Sequence, residues 1–451
     1  VTATATEQTR AEIVARLSLS GARQFVASFD RPNIQYRIEP KNEPRRQLLR
    51  LLRTEHAGEA GIVYCLSRAS VEKTADFLCS EGLTALPYHA GLDAQTRSVN
   101  QSRFLREDGL IMVATIAFGM GIDKPDVRFV AHLDLPRSVE GYYQETGRAG
   151  RDGLPATAWL AYGLADVVQQ RRMIDDSDGD LAHRRRLVAH LDAMLALTET
   201  AGCRREQMLA YFGETGTGPC GNCDTCLSPP SVWDGTVAAQ KLLSTVVRLG
   251  RLDGPAFGAG QPIDILLGKK TPRVLSYGHD SLSTFGIGGE LTEGEWRGVV
   301  RQLLASGLLA VKGDHGTLAL TDLSGEVMRG ERPVVFRRDP PKVPAPPRSK
   351  RAAPGSGAGA ASGTGGASGA GRPTAVELPP EAEPVFERLR AWRTSVAKEL
   401  GMPPYVIFHD STLRLIAASP PSTLDELRQV NGVGATKLEK YGQAILDALA
   451  S

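Results

Sequence analysis

No phosphate cradle of the form G-x-x-x-x-G-K-[ST] occurs in the 451 residues, so nothing in the sequence is built to wrap the β- and γ-phosphates of a nucleotide or to place a magnesium ligand. Long apolar runs are missing too. No stretch approaches the about 18 apolar residues of a membrane span, and the first residues lack the basic-then-apolar pattern of a signal peptide. A cytoplasmic location is therefore expected. Charge excess is absent: 53 Lys and Arg face 51 Asp and Glu, a formal net charge of +2, so any nucleic-acid surface must come from local clustering. Cysteine is scarce at six residues, and four of them gather into one region, which in a reducing compartment points to a metal and not to disulfides. No internal repeat is evident.

What is present is a chain long enough for about three to four domains. Residues 25–163 alternate short apolar runs (61–65, 110–114, 128–132, 157–161) with helical patterns at 69–81 and 138–146. Continuous apolar runs separated by helices predict a parallel sheet covered on both faces. Residues 164–213 have helical periodicity broken by the polar run Asp175–Asp180. Residues 233–330 read as helices followed by a hairpin, 308–312 and 317–321 around Gly313–Gly316. That order suggests a winged helix, with a helical spacer and plain hairpin as the competitor. From Asp339 to Pro380 the Pro-, Gly-, Ala- and Ser-rich composition cannot bury a core. It is expected to be a tether with a reach of roughly 35 Å. Helical patterning returns over 381–450.

Two motifs carry chemistry. Gln144–Gly153 sets Arg148 and Arg151 three residues apart on a glycine-punctuated turn after a predicted helix. A guanidinium delivered to a transferring phosphoryl group accelerates the reaction by roughly 10³ to 10⁵. The turn reads as half of an ATPase site, against the plainer reading of two solvated arginines. Cys203, Cys220, Cys223 and Cys226, with sixteen, two and two residues between them, supply four thiolates for a tetrahedral Zn²⁺. Four protein ligands leave no open position for water, so the site is expected to be structural. Cys65 and Cys79 are expected in the core.

Polar groups also follow the carboxyl ends of predicted strands: Ser67 and Arg68, His89, and Thr115. That edge of an open α/β sheet gathers ligands, and hydroxyls or backbone N–H groups there hold phosphates without reading bases. Ordinary helix capping explains Ser67 and Thr115 equally well.

Thr115–Pro125, the Gln144–Gly153 turn and the four-cysteine cluster together resemble bacterial RecQ-type DNA helicases. Thr2–Ala5 resembles the end of that family's first ATPase lobe and Ser28–Ile34 the start of the second. The resemblance implies a chain truncated at its N-terminus and divided into a remnant of the first lobe and connector (1–24), a second RecA-like lobe (25–163), a helical zinc-binding subdomain (164–230), a winged helix (231–335), a disordered linker (336–380) and a C-terminal helical HRDC domain (381–451).

The same resemblance implies ATP and Mg²⁺ in a site shared with the missing lobe, with Arg151 as the γ-phosphate finger. Arg148 assists, Gln144 couples nucleotide to lobe contact, and Asp123 lies on the loop joining nucleotide to DNA track. It further implies DNA contacts at Ser67, Arg68, His89 and Thr115, at Arg273 and His279 in the winged helix, and at Tyr405 and Lys437 in the HRDC domain. The bland alternatives are a solvated loop around 273–280, a core tyrosine at 405 and a solvated lysine stripe. The implied whole is a monomeric, nucleoid-associated 3′–5′ DNA helicase of repair, recombination and replication. It would act on single-stranded and duplex or forked DNA, with a single-strand-binding protein as partner. A non-catalytic DNA-binding protein and an RNA helicase are the alternatives.

Overall fold

The computed structural model describes residues 4, 7–119, 122–216, 218–252, 257–312, 316–339 and 378–450. The apolar runs become strands of one parallel sheet: β1 (Ile34–Pro40), β2 (Gly61–Tyr64), β3 (Ala85–Tyr88), β4 (Ile111–Ala114), β5 (Phe129–His132) and β6 (Ala156–Tyr162), in the order β1-β6-β5-β2-β4-β3. Helix α1 (Glu7–Arg16) precedes them; α2 (Pro44–Glu55), α3 (Arg68–Ser80), α4 (Ala94–Arg106) and α5 (Val139–Thr146) connect them. Because successive strand residues point to opposite faces, each strand feeds two cores. Val63, Val113, Ala131 and Trp159 pack with Leu48, Leu52, Val71 and Leu78 of α2 and α3. Ile62, Met112, Val130 and Leu160 pack with Phe104 of α4 and Tyr142 of α5. Strand β3 ends at Tyr88, just before His89, as expected, and β1 alone went unread in the sequence. Edge strand β1 ends in a proline, and β3 contains one; both signals argue against a strand except at an edge, which is where both lie.

The second core runs on, without a break, into α6 (Leu164–Asp175), α7 (Leu181–Glu199), α8 (Arg204–Tyr211) and the short α9 (Asp224–Leu227). The polar break separates α6 from α7 where expected, and Asp180 caps α7 by accepting from the His183 N–H. Next come β7 (Val232–Asp234), α10 (Thr236–Gly250), α11 (Gly260–Leu266), α12 (Pro272–Ser276) and α13 (Glu293–Ala305). The antiparallel hairpin β8 (Leu309–Lys312) and β9 (Thr317–Leu320) follows, then α14 (Ser324–Met328) and β10 (Val335–Arg337). Helices followed by a hairpin give the winged-helix order. The tip residues 313–315 lie outside the described residues, and Gly316 packs against Val168 of α6.

One boundary needs correction. Residues 336 and 337, expected in the linker, belong to β10, which pairs antiparallel with β7. Phe336 is buried, and its ring lies so close to Gly235 that a Cβ there would collide with it. Arg337 and Arg301 both bond the buried Glu199 at the end of α7, each at 2.9 Å, and Asp339 accepts from Arg301 Nη2 at 2.8 and 2.7 Å. Residues 340–377, the bulk of the expected tether, lie outside the described residues.

The C-terminal helices α15 (Glu383–Glu399), α16 (Pro404–Ile407), α17 (Asp410–Ala418), α18 (Leu424–Arg428) and α19 (Ala435–Ala450) enclose their own core of Phe386, Leu389, Ile407, Phe408, Leu413, Ile416, Leu427 and Ile445. This bundle touches the parallel-sheet lobe through Asp108, whose Oδ2 accepts from Thr394 Oγ1 at 2.9 Å with Arg393 and Arg390 at 3.7 and 4.0 Å. Among the described residues no helix is long and apolar enough to cross a membrane.

Candidate nucleotide and nucleic-acid interface

The arginine turn is built by three local devices. Ser138 caps α5 by accepting from the Gly141 N–H, which fixes where the helix begins. After α5 ends, Gly150 takes φ +57° with Asn33 Nδ2 and Leu154 O pressed against it, so a side chain there is excluded both by conformation and by space. Asp152, buried, then accepts from Arg128 Nη2 at 2.7 Å with each oxygen, pinning the turn to the sheet.

Arg151 and Arg148 leave this turn in different directions. Arg151 is exposed and pairs with Asp123, Nη1 to Oδ1 at 2.6 Å. Arg148 lies against Gly119 and beside the Tyr64 hydroxyl, with its Nε buried and without a partner among the described residues. Gln144 is exposed on α5 and donates to the Thr4 hydroxyl. Met120 and Gly121 of the Thr115–Pro125 motif lie outside the described residues, as do residues 1–3, 5 and 6.

The carboxyl edge of the sheet is assembled as expected, but its members differ. The Cys65 N–H donates to Ala114 O and the Thr115 N–H to Tyr88 O, which brings the three loops side by side. Ser67 and Arg68 are exposed; Ser67 also accepts from the Ser70 N–H, so capping and a phosphate contact compete for one hydroxyl. Thr115 Oγ1 accepts from the Ala117 N–H at 3.4 Å. His89 corrects the expectation: it is buried, its Nε2 lies 3.1 Å from Glu72, and its Nδ1 accepts from the Gly91 N–H. Both of its ring nitrogens are taken up by partners within the protein. Sequence reasoning missed Asp134, which accepts from the Leu66 N–H and from Lys41 Nζ and thereby sets the loop bearing Ser67 and Arg68. It also missed Arg31 and Asn33, whose side chains donate to carbonyls of the arginine turn. A lone arginine or asparagine carries no motif, so only tertiary contact exposes these roles.

In the 231–335 region Arg273 is exposed and its guanidinium sits 5.2 Å from the Phe257 ring centroid. His279 is a second correction. It is buried, bonded to Gln261 at 2.8 Å and stacked on Tyr277, and burial pushes its pKa down, which disfavours the charged form a phosphate contact would use. In the C-terminal bundle Lys437 is half-buried over the Phe408 ring and its pKa is pushed down by burial. Tyr405 is half-buried; burial raises its pKa first, and the nearby carboxylates of Asp123 and Asp126 raise it further. Tyr405 therefore lies on the side of the bundle near Asp123 and Asp126.

The four expected thiols converge, with all Sγ atoms within 4.8 Å of one another. A tetrahedral Zn²⁺ with Zn–S of about 2.3 Å requires S–S separations of about 3.8 Å, and Cys220 and Cys226 stand 3.9 Å apart. Backbone N–H groups of Glu206 and Cys220 point at the Cys203 sulfur and that of Asn222 at Cys220, as thiolate ligands require. The donor set fits zinc. Cys223 also bridges to Tyr36, so the metal loop extends the sheet beyond β1. Of the other cysteines, Cys65 is buried as expected, whereas Cys79 is exposed.

A parallel sheet with a ligand-gathering carboxyl edge and an arginine turn reaching outward from it defines a helicase-type motor lobe. Residues 43–153 match the helicase conserved C-terminal domain, 164–227 the RecQ zinc-binding domain, 229–344 the RQC domain and 382–449 the HRDC domain. The ATP-dependent DNA helicase RecQ of Haemophilus influenzae is 39% identical over 449 residues, which cover 99% of this chain and 68% of that protein. The protein of the same name from Bacillus subtilis is 32% identical over 450 residues, covering 100% of this chain and 69% of its own length. The chain belongs to the RecQ family of ATP-dependent DNA helicases.

Proposed function

We propose that this chain supplies the arginine half of an ATP–Mg²⁺ site and the DNA-holding modules of a 3′–5′ DNA helicase that acts in repair, recombination and replication. One observation carries the reading: Arg151, the γ-phosphate finger, is exposed and already oriented by Asp123, on the loop that begins at Thr115 of the strand-end track. Closure of a phosphate-bearing lobe would exchange Asp123 for phosphate oxygens and tug that loop, so nucleotide state would reach the DNA grip through a few bonds. Arg148 and Gln144 support the contact. Ser67, Arg68 and Thr115 would hold the single strand, and Arg273 the duplex. Cys203, Cys220, Cys223 and Cys226 would bind a structural Zn²⁺. Tyr405, near Asp123 and Asp126, would contact DNA once the bundle leaves the lobe, and Lys437 would do so from the bundle itself. A monomer working in the cytoplasm at the nucleoid, beside a single-strand-binding protein, fits this reading.

The test joins this chain to a phosphate-loop lobe in one ATP-hydrolysing polypeptide. Arg151→Ala is expected to lower DNA-stimulated turnover by roughly 10³ or more while forked-DNA affinity stays unchanged. Full turnover in that variant would end the assignment. The second reading is DNA binding without catalysis. It requires this chain to bind DNA with a steep salt dependence and to hydrolyse no ATP.

A further inference from the structure

Residues 28–34 lie between the cysteine loop and the arginine turn and are bonded to both. Toward the turn, Arg31 Nη1 donates to Gly147 O at 3.0 Å, and its Nη2 donates to Ala149 O at 2.9 Å and Gly150 O at 3.2 Å. Asn33 Nδ2 donates to Gly150 O at 2.8 Å and Leu154 O at 2.9 Å. The turn that carries both arginines is thus held by side-chain donors of a segment more than a hundred residues earlier.

Toward the metal, the same segment is gripped by the cysteine-bearing subdomain. Arg205 of α8, two residues from Cys203, donates to Pro32 O at 3.1 Å and Ile34 O at 3.0 Å. Asn222, between two of the cysteines, donates to Pro32 O at 3.1 Å. Glu214 accepts from the Phe29 N–H and the Ser28 hydroxyl, both at 2.9 Å. The Phe29 ring stacks on Phe212 with centroids 4.4 Å apart, and its carbonyl accepts from the hydroxyl of Tyr143, the neighbour of Gln144.

We infer that residues 28–34 form a strap that transmits the position of the zinc-bound loop to Arg148 and Arg151, with Arg31 as its positioning residue. The inference rests on the reading that the turn completes an ATP site. The physical reason is geometric. Glycines make the turn easy to displace, and misplacing a catalytic group by about 1 Å costs on the order of 10²-fold in rate. A planar guanidinium spanning three carbonyls fixes the turn in a way a point-like ammonium cannot. The cysteine loop would then influence catalysis through the orientation of the turn and not through chemistry of its own.

The test compares Arg31→Met, Arg31→Lys and Arg151→Ala in an ATP-hydrolysing polypeptide that contains this chain, with hydrogen exchange read at the Gly147–Gly153 amides. Arg31→Met is expected to lower kcat for ATP by about 10- to 100-fold, to leave KM and zinc content unchanged, and to speed exchange in the turn. Arg31→Lys should recover part of both. If Arg151→Ala abolishes turnover while Arg31→Met changes neither kcat nor exchange, the strap is refuted and the finger stands. If Arg151→Ala keeps full turnover, the ATP reading itself fails, and the exchange data still decide whether the strap exists. Should Arg31→Met lose zinc or fail to fold, Asn33→Ala, which removes two bonds to the same turn, is judged by the same two readouts.

Discussion

Arg151 and Asp123 form an ion pair 2.6 Å long in which the carboxylate is 81% exposed, so Arg151 is held by a partner that water can readily replace. Exposed pairs of this kind contribute about 0.2 to 1 kcal/mol, less than charge-assisted contacts to a phosphate provide. Asp123 thus orients Arg151 without trapping it. Asp123→Asn is expected to lower the KM for ATP by about 1.5- to 5-fold and to weaken stimulation by single-stranded DNA, because the bond to the Thr115 loop is lost. Steady-state ATPase with and without DNA measures both effects.

Removing one thiolate should cost the metal and the fold around it. Structural Zn²⁺ contributes an apparent binding energy of about 10 to 16 kcal/mol in small zinc modules, comparable to the whole stability of a domain, about 5 to 15 kcal/mol. Cys223 is buried and bridged to β1, so Cys223→Ser is expected to yield protein lacking zinc and cleaved by trypsin within residues 200–228. Metal analysis and limited proteolysis read the result; a soluble, fully loaded, resistant variant would contradict it.

Burial of His279 makes a pH prediction. Its pKa in the fold lies below the ordinary 6.5, so as pH falls through about 6.5 the unfolded chain takes up a proton that the folded chain refuses. Stability should therefore decline as pH drops below about 6.5, by at most about 1.4 kcal/mol per unit. Melting curves at several pH values should show this decline in the wild type and a shallower one in His279→Gln.

Asp108 is the lobe's anchor for the C-terminal bundle. Replacing it removes a charge-assisted contact worth about 2 kcal/mol, or roughly 30-fold in the docking equilibrium. Asp108→Lys is expected to raise the radius of gyration in solution scattering and to strengthen single-strand binding by exposing Tyr405. The bundle's own melting temperature should not move, since its core is separate. An unchanged scattering profile would show that other contacts hold the bundle.

The helices and central strands were legible because periodicity and continuous apolar runs are local properties. The convergence of the four cysteines was legible because their spacing alone confines them. Residues whose roles depend on distant partners were not. His89 and His279 look like surface ligands in sequence, yet Glu72, Gln261 and Tyr277 enclose them. Arg31 and Asn33 look like part of a lobe's opening segment, and only folding brings the arginine turn against them. Strand β10 was hidden because its three residues border a tract of linker composition, and its pairing with β7 is about a hundred residues distant in the chain.

The cluster of Glu199, Arg301, Arg337 and the partly buried Asp339 ties residues 337–339 to both α7 and α13. A fluorophore placed immediately after Asp339 would therefore behave as a fiducial mark for two modules at once, reporting their common orientation on DNA and staying blind to wagging of the hairpin alone.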